Sequence, residues 1–298
     1  MTRRGWLLFG ALCVVWGIPY LLIKVAVREI SPATLVFLRT ALGAALLLPL
    51  ALRRGELRSL LPHWRAIAAF TVVELAVPWL LLSDAERHLS SSLAGLLIAA
   101  VPLVGAILSG VTGGQDRLGG RRVAGLLVGL AGVVALLGLD VSTSSAGAVL
   151  EMVVVVAGYA VGPIIISRRL AGLSSRLVMT ASLGLCAIGY APFVLTRLPP
   201  ALPSPSAIAA VVVLGVVCTA LAFIVFFHLI AEVGPVRATV VTYVNPAVAV
   251  ALGVTLLGEP LTPGILVGFV LILAGSVLAT RAARPLPAEP ALQPTSSQ

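Results

Sequence analysis

Charge, histidine and cysteine are all scarce in this chain, and each scarcity removes a class of function. Only 10% of the 298 residues are Asp, Glu, Lys or Arg, against about 25% in soluble domains, which excludes an ordinary soluble fold. The cysteines, Cys13, Cys186 and Cys218, all fall in apolar runs and offer neither a disulfide pattern nor metal-ligand spacing. The histidines, His63, His88 and His228, are dispersed, with no HExxH or Ser/His/Asp grouping, so no metal site and no catalytic residue is expected. No Gly-Lys-Ser/Thr phosphate loop is present, so the chain does not drive work with an ATPase of its own, and no cofactor is expected.

What fills the space is apolar. The chain is 59% hydrophobic with a mean hydropathy of +1.12. Several runs approach or exceed the roughly 18 residues that cross a bilayer. Ten such runs are expected: 6–25, 33–52, 66–83, 91–111, 123–139, 146–166, 177–196, 207–229, 236–257 and 263–280. The fold class is therefore an all-α integral membrane protein of ten transmembrane helices, joined by short loops. The first run follows Arg3 and Arg4 as a secretory signal would, but it lacks a small-x-small exit and ends in Tyr20, Lys24 and Arg28, so it is retained as a span. From 282 to 298 the chain is rich in proline and is expected to be a disordered cytoplasmic tail.

The runs repeat. Gly17-Ile18-Pro19-Tyr20-Leu21-Leu22-Ile23-Lys24 matches Val161-Gly162-Pro163-Ile164-Ile165-Ile166-Ser167-Arg168 in its proline and closing cation, Pro102 falls on Pro246, and Gly125–Gly132 falls on Gly268–Gly275. Two repeats follow, 5–139 and 146–281, each of five spans. An odd number of spans makes the second repeat enter the membrane from the opposite side, so the repeats are inverted. Inverted repeats are the architecture of secondary transporters, with the substrate near the midplane where the halves meet.

Charge orients the spans. With the N-terminus in the cytoplasm, fifteen of the twenty cations fall in cytoplasmic segments, including Arg53, Arg54, Arg58 and Arg65 after the second span. The equivalent loop of the second repeat keeps only Arg197. The bias fits the positive-inside rule with both termini cytoplasmic, in the cytoplasmic (cell) membrane. The net charge of +9 is spread over these segments without interleaved aromatics, so nucleic acid is not an expected partner. The expected partners are the lipid bilayer and a small-molecule substrate, with protons as an optional coupling ion and the chain acting as monomer or homodimer.

Two stretches also resemble a family. Glu232-Val-Gly-Pro-Val-Arg-Ala-Thr-Val-Val-Thr-Tyr-Val-Asn-Pro246, with Gly258-Glu259-Pro260-Leu261-Thr262, looks like the second repeat of EamA-type members of the drug/metabolite transporter superfamily. Val15-Trp16-Gly17 with Tyr20 and Lys24, then Phe37-Leu38-Arg39, resembles the opening of the same module. The resemblance covers about 5–281. It implies ten helices and the movement of small metabolites, often on an ion gradient. The first repeat departs from the pattern: Gly114-Gln115-Asp116-Arg117 stands where Gly258-Glu259 stands in the second, so no shared role is assumed for the acid.

Ionisable groups inside the membrane are the first candidates for function, because each costs a few kcal/mol there unless paired or wet. Glu74, mid-way along the third span with Pro78 one turn later, suits a proton carrier; the alternative is a static ion pair with Arg39. Arg39 suits a carboxylate or other anion as a planar fork. Lys24 is expected to snorkel to the outer surface, Glu151 to line an outer vestibule and His228 to sit at the inner interface. Trp16, Tyr20, Tyr159, Tyr243 and Asn245 are expected to line the cavity, and Pro19, Pro78, Pro102, Pro163 and Pro246 to break or bend helices towards it. Gly125-x-x-x-Gly129 and Gly264-x-x-x-Gly268 suit close packing within the bundle. The expected function is alternating-access export of an amino acid-like or amphipathic metabolite. Lipophilic or lipid-linked cargo, a membrane-embedded enzyme and a passive channel are the alternatives.

Overall fold

Backbone that crosses lipid must satisfy its own hydrogen bonds, so apolar runs of this length become helices. The structure, a computed structural model, describes residues 2–52, 56–111, 120–140, 146–196, 202–234, 238 and 240–280. The regular elements of those residues are all helices, with no strand among them. The tail 282–298, the loop cations Arg53, Arg54, Arg117 and Arg237, and Gly114-Gln115-Asp116 lie outside the described residues.

Among the described residues, nine stretches are long and apolar enough to cross a membrane: Arg3–Ala26, Pro32–Ala51, Arg58–His88, Ser91–Leu108, Gly120–Leu137, Ala146–Arg169, Ser175–Val194, Pro205–Val233 and Pro263–Thr280. A shorter apolar helix, Val241–Leu257, takes ninth place in chain order, so that Pro263–Thr280 is the tenth span. The ends are set by local chemistry. Thr2, Ser90 and Ser204 accept from Gly5, Leu93 and Ala207 as N-caps. Gly258 closes the ninth span at φ 68°, a left-handed conformation that glycine adopts without strain.

The principal pairings are closed under exchange of each span with the one five places later. The fifth packs on the tenth, the second on the seventh and the fourth on the ninth. The first packs on the eighth and ninth, and the sixth matches it against the third and fourth. One departure from the exchange is informative. The first span also packs on Val77–His88 and Ser91–Ile98, whereas the sixth makes no comparable packing with Ala222–Val233 or Val241–Leu257. The bundle is thus tight at the end carrying Ala26, His88 and Ser91 and looser at the other. At that looser end a cavity of about 120 Å³ lies between the second, seventh and eighth spans, beside Ala51, Arg176, Thr180 and His228.

The expected helix breaks are not all formed. Pro19, Pro163 and Pro246 lie inside continuous helices, so there is no interruption at any of them. Neighbouring helices can support such a proline without a break. Pro102 does sit at one: the fourth span divides into Ser91–Ile98 and Val101–Val111. The N–H of Leu103 turns to the Ala100 carbonyl, and buried Ser276 of the tenth span donates to the Ala99 carbonyl at 3.2 Å. Pro78 follows a π-helical turn, Thr71–Ala76. The eighth span carries a second π turn, Val216–Leu221, 145 residues later.

Candidate functional site

The two π turns face the junction of the repeats and place Glu74 and Thr219 at equivalent positions, fourth in each turn. A π turn inserts one extra residue, which re-aims the side chains around it and often marks a functional site. Thr219 is fully buried; its hydroxyl donates to the Leu214 carbonyl five residues back at 2.8 Å and accepts from Arg39 Nε at 2.9 Å.

Arg39 is 8% exposed. Its guanidinium carbon stands 3.7 Å over the Trp79 ring of the third span, a stacked cation–π contact. Tyr20 of the first span and Tyr159 of the sixth lie within electrostatic range of it. Among the described residues its two terminal amino groups bond to no protein atom, and no carboxylate pairs with it. Glu74 joins them through Tyr159, which lies within electrostatic range of both Glu74 and Arg39. Glu74 Oε2 is sealed and has no hydrogen-bond partner among the described residues. Space for it comes from Gly162 of the sixth span, where an added Cβ would overlap that oxygen, while Gly158 takes the Val73 carbonyl and the Pro78 ring. Tyr190 of the seventh span donates to the Ala76 carbonyl at the end of the π turn, at 3.0 Å.

The static ion pair between Glu74 and Arg39 is not formed: Arg39 is held by Thr219 and Trp79 instead. Lys24 does not snorkel. Its ammonium donates to the Glu86 and Leu89 carbonyls at 2.6 and 2.7 Å, capping the end of the third span where helix carbonyls lack intrahelical donors. Asn245, oriented to make its hydrogen bonds, gives its amide nitrogen to the Cys13 and Val241 carbonyls at 3.2 and 3.0 Å, tying the ninth span to the first. Tyr243 meets Thr280 at 2.8 Å near the end of the tenth span. Trp16 packs with Phe223 and Phe226 of the eighth span. Asn245, Tyr243 and Trp16 thus make other contacts, while Arg39, Tyr20 and Tyr159 lie within electrostatic range of one another and Tyr159 connects them to Glu74. Glu151 sits beside Asp84 and His88, and His228 Nδ1 bonds the Ile224 carbonyl at 2.7 Å.

Sequence reasoning missed three members of this region. Trp79 and Thr219 carry no charge, and only their packing singles them out. Glu86 is buried although it stands in the polar run Asp84-Ala85-Glu86-Arg87-His88. The corner after it is held from the second repeat. Glu259 accepts from Ser91 N, Ser92 N and Ser92 Oγ at 2.7, 2.9 and 2.6 Å, at the N-terminus of the fourth span.

A bundle of two exchangeable sets of five helices, with a buried arginine and a half-buried acid between them, belongs to the class of multi-pass membrane transporters. The profile of the EamA-like transporter family matches residues 3–138 and 146–281, and the chain belongs to that family. It is 31% identical to the Uncharacterized inner membrane transporter YedA of Escherichia coli, over 96% of this chain and 95% of that one. It is 29% identical to the Probable terminal-alkyne amino-acid exporter of Streptantibioticus cattleyicolor, over 86% of this chain and 84% of that one. A solved crystal structure superposes with a TM-score of 0.68 at 25% identity, over 96% of this chain and 100% of the other.

Proposed function

We infer that this protein exports a small amino acid-like metabolite across the cytoplasmic membrane by alternating access, with Glu74 as the proton carrier. The observation that carries this reading is the Arg39 guanidinium. It is buried in the membrane, fixed by Thr219 on one nitrogen and by Trp79 on one face, and left with two unbonded amino groups and no carboxylate partner among the described residues. A buried cation of this kind is expensive to maintain unless something pairs with it. A substrate carboxylate fits the open side of the fork. Glu74, half-buried with Oε2 against Gly162, accepts either the ammonium of such a substrate or a proton, and so links the two. A relative named as an amino-acid exporter supports the same substrate class.

With the N-terminus in the cytoplasm, the tight end of the bundle is the outer one, and the conformation is inward-facing. The unequal packing of the first and sixth spans supports this. Rocking of the inverted repeats would exchange the two environments.

A panel of amino acids tested by thermal shift on the purified protein examines the reading, because a ligand that binds the folded state raises its midpoint. At least one amino acid should stabilise the parent. Arg39→Lys keeps the charge but loses the fork and the stacking, and should weaken that ligand about tenfold or more. A shift that persists undiminished in Arg39→Lys would refute the assignment of Arg39. Lipophilic cargo is the second reading. One observation favours it: an apolar groove of about 300 Å³ between the fourth, fifth and sixth spans, lined by Leu103, Ile107, Leu130 and Val153 among others.

A further inference from the structure

A buried carboxylate distinct from Glu74 stands at the outer edge of the substrate group, within electrostatic range of Arg39 and Tyr20. Glu86, in the last turn of the third span, has no exposed surface, and among the described residues neither of its carboxylate oxygens has a hydrogen-bond partner. Lys24 reaches the same residue but spends its ammonium on backbone, donating to the carbonyls of Glu86 and Leu89. A buried carboxylate that left a neighbouring ammonium to the backbone would be stranded as an anion; a carboxyl that carries a proton is not.

The place matters as much as the group. Lys24 of the first repeat closes the C-terminal end of the third span, and Glu259 of the second repeat closes the N-terminal end of the fourth. Each charge complements the helix end that it caps. The corner at 86–92 is therefore clasped by both repeats, and Glu86 is the charged member of the clasp whose side-chain oxygens have no hydrogen-bond partner among the described residues. The charged and titratable groups that act on it are Lys24 and Tyr20 from the first span, Arg39 from the second, and Glu259 from the loop before the tenth. Arg28 acts on Lys24 in turn. On its own helix, Asp84 and Arg87 pair with each other at 3.0 Å on the exposed side.

We propose that Glu86 is a second proton-binding site, separate from Glu74, whose occupancy holds the outer gate shut. With the proton bound, Lys24 serves the two carbonyls and the corner is locked. When the carboxyl O–H breaks and the proton passes to outer water, the new carboxylate draws the Lys24 ammonium into an ion pair. The Glu86 and Leu89 carbonyls then lose their donor, and the corner between the third and fourth spans releases. The proposal rests on the alternating-access reading and its inward-facing state.

Accessibility tests it without a known substrate. In a background with Cys13, Cys186 and Cys218 changed to Ala, Leu89→Cys reports the corner, since Leu89 is 3% exposed. Right-side-out vesicles are labelled with a membrane-impermeant maleimide at about pH 5.5 and about pH 8.5. Rates are normalised to Leu202→Cys, whose parent side chain is 93% exposed, to remove the intrinsic pH dependence of the thiol. The normalised rate should rise about fivefold or more at the higher pH, and Glu86→Gln should hold it low throughout. Lys24→Gln, which removes the lock itself, should label fast already at the lower pH. Equal pH responses in parent and Glu86→Gln overturn the proposal. If Glu86→Gln does not elute as a monodisperse protein, slow labelling of Lys24→Gln at the lower pH overturns it instead. These outcomes concern the gate alone; the amino-acid thermal shift can fail or succeed independently of them.

Discussion

Glu259 caps the fourth span with three hydrogen bonds from Ser91 and Ser92, and that geometry sets its titration. Burial alone would raise its carboxyl, but the hydrogen bonds from Ser92 and Ser91 outweigh burial and hold it below the ordinary value of 4.5. Its contribution to stability is therefore fully present above about pH 4.5 and is lost as the pH falls through the depressed folded value. The thermal midpoint of the parent should drop over that acid range. Glu259→Ala should lie on the order of 1 kcal/mol lower at neutral pH, with a flatter acid limb. An unchanged acid limb in the variant would show that the cap does not titrate as its geometry requires. At this scale the sequence is legible wherever charge interrupts an apolar run, which is why Arg39 and Glu74 stand out. Glu86 does not, because Asp84, Arg87 and His88 around it make a run that reads as loop, although the helix continues through it to His88. Thr219 and Trp79 are ordinary membrane residues until Arg39 reaches them. Asn245 looks like a cavity amide, but its nitrogen belongs to the Cys13 and Val241 carbonyls.

Helices five and ten meet along glycine. An added Cβ on Gly275 would strike the Gly129 backbone, and one on Gly125 the Ala279 nitrogen, so the two backbones are in direct contact. The small-residue spacing around Gly125, Gly129 and Gly268 made close packing readable, and it lies within the bundle, between the two repeats. Gly275→Ala must push the helices apart and should cost roughly 1–3 kcal/mol. Gly10→Ala has nothing within 4 Å of the new carbon and should change stability by less than about 0.5 kcal/mol. Equal melting of the two variants in detergent would contradict a backbone-to-backbone seam. The π turns at Thr71–Ala76 and Val216–Leu221 carry no comparable sequence mark. A π turn depends on where the extra residue finds a partner, and those partners, Gly158, Gly162, Tyr190 and Arg39, come from other spans.

For the whole molecule, the order and number of spans follow from hydropathy, and the duplication anticipates the exchange pattern in the packing. Which way the halves face is a matter of loop charge. Reporters fused after Arg54, Arg117, Arg176 and Arg284 should appear cytoplasmic, and those after Arg28, Asp140 and Glu259 external. An external reading after Arg284 with a cytoplasmic N-terminus would give an odd span count and remove the inversion. The state of the bundle was not legible in the sequence, because tightness at one end and looseness at the other is a property of packing between the repeats.

The central claim, proton-coupled transport through Glu74, is tested most directly by accumulation in reconstituted vesicles. Glu74→Gln removes the ionisable group and nearly preserves its shape in the space left by Gly162. With an amino acid that stabilises the parent protein, an imposed pH gradient should drive accumulation by the parent. Glu74→Gln should abolish that accumulation while leaving exchange of labelled for unlabelled substrate measurable. Accumulation by Glu74→Gln vesicles that responds to the pH gradient as the parent does would contradict the account.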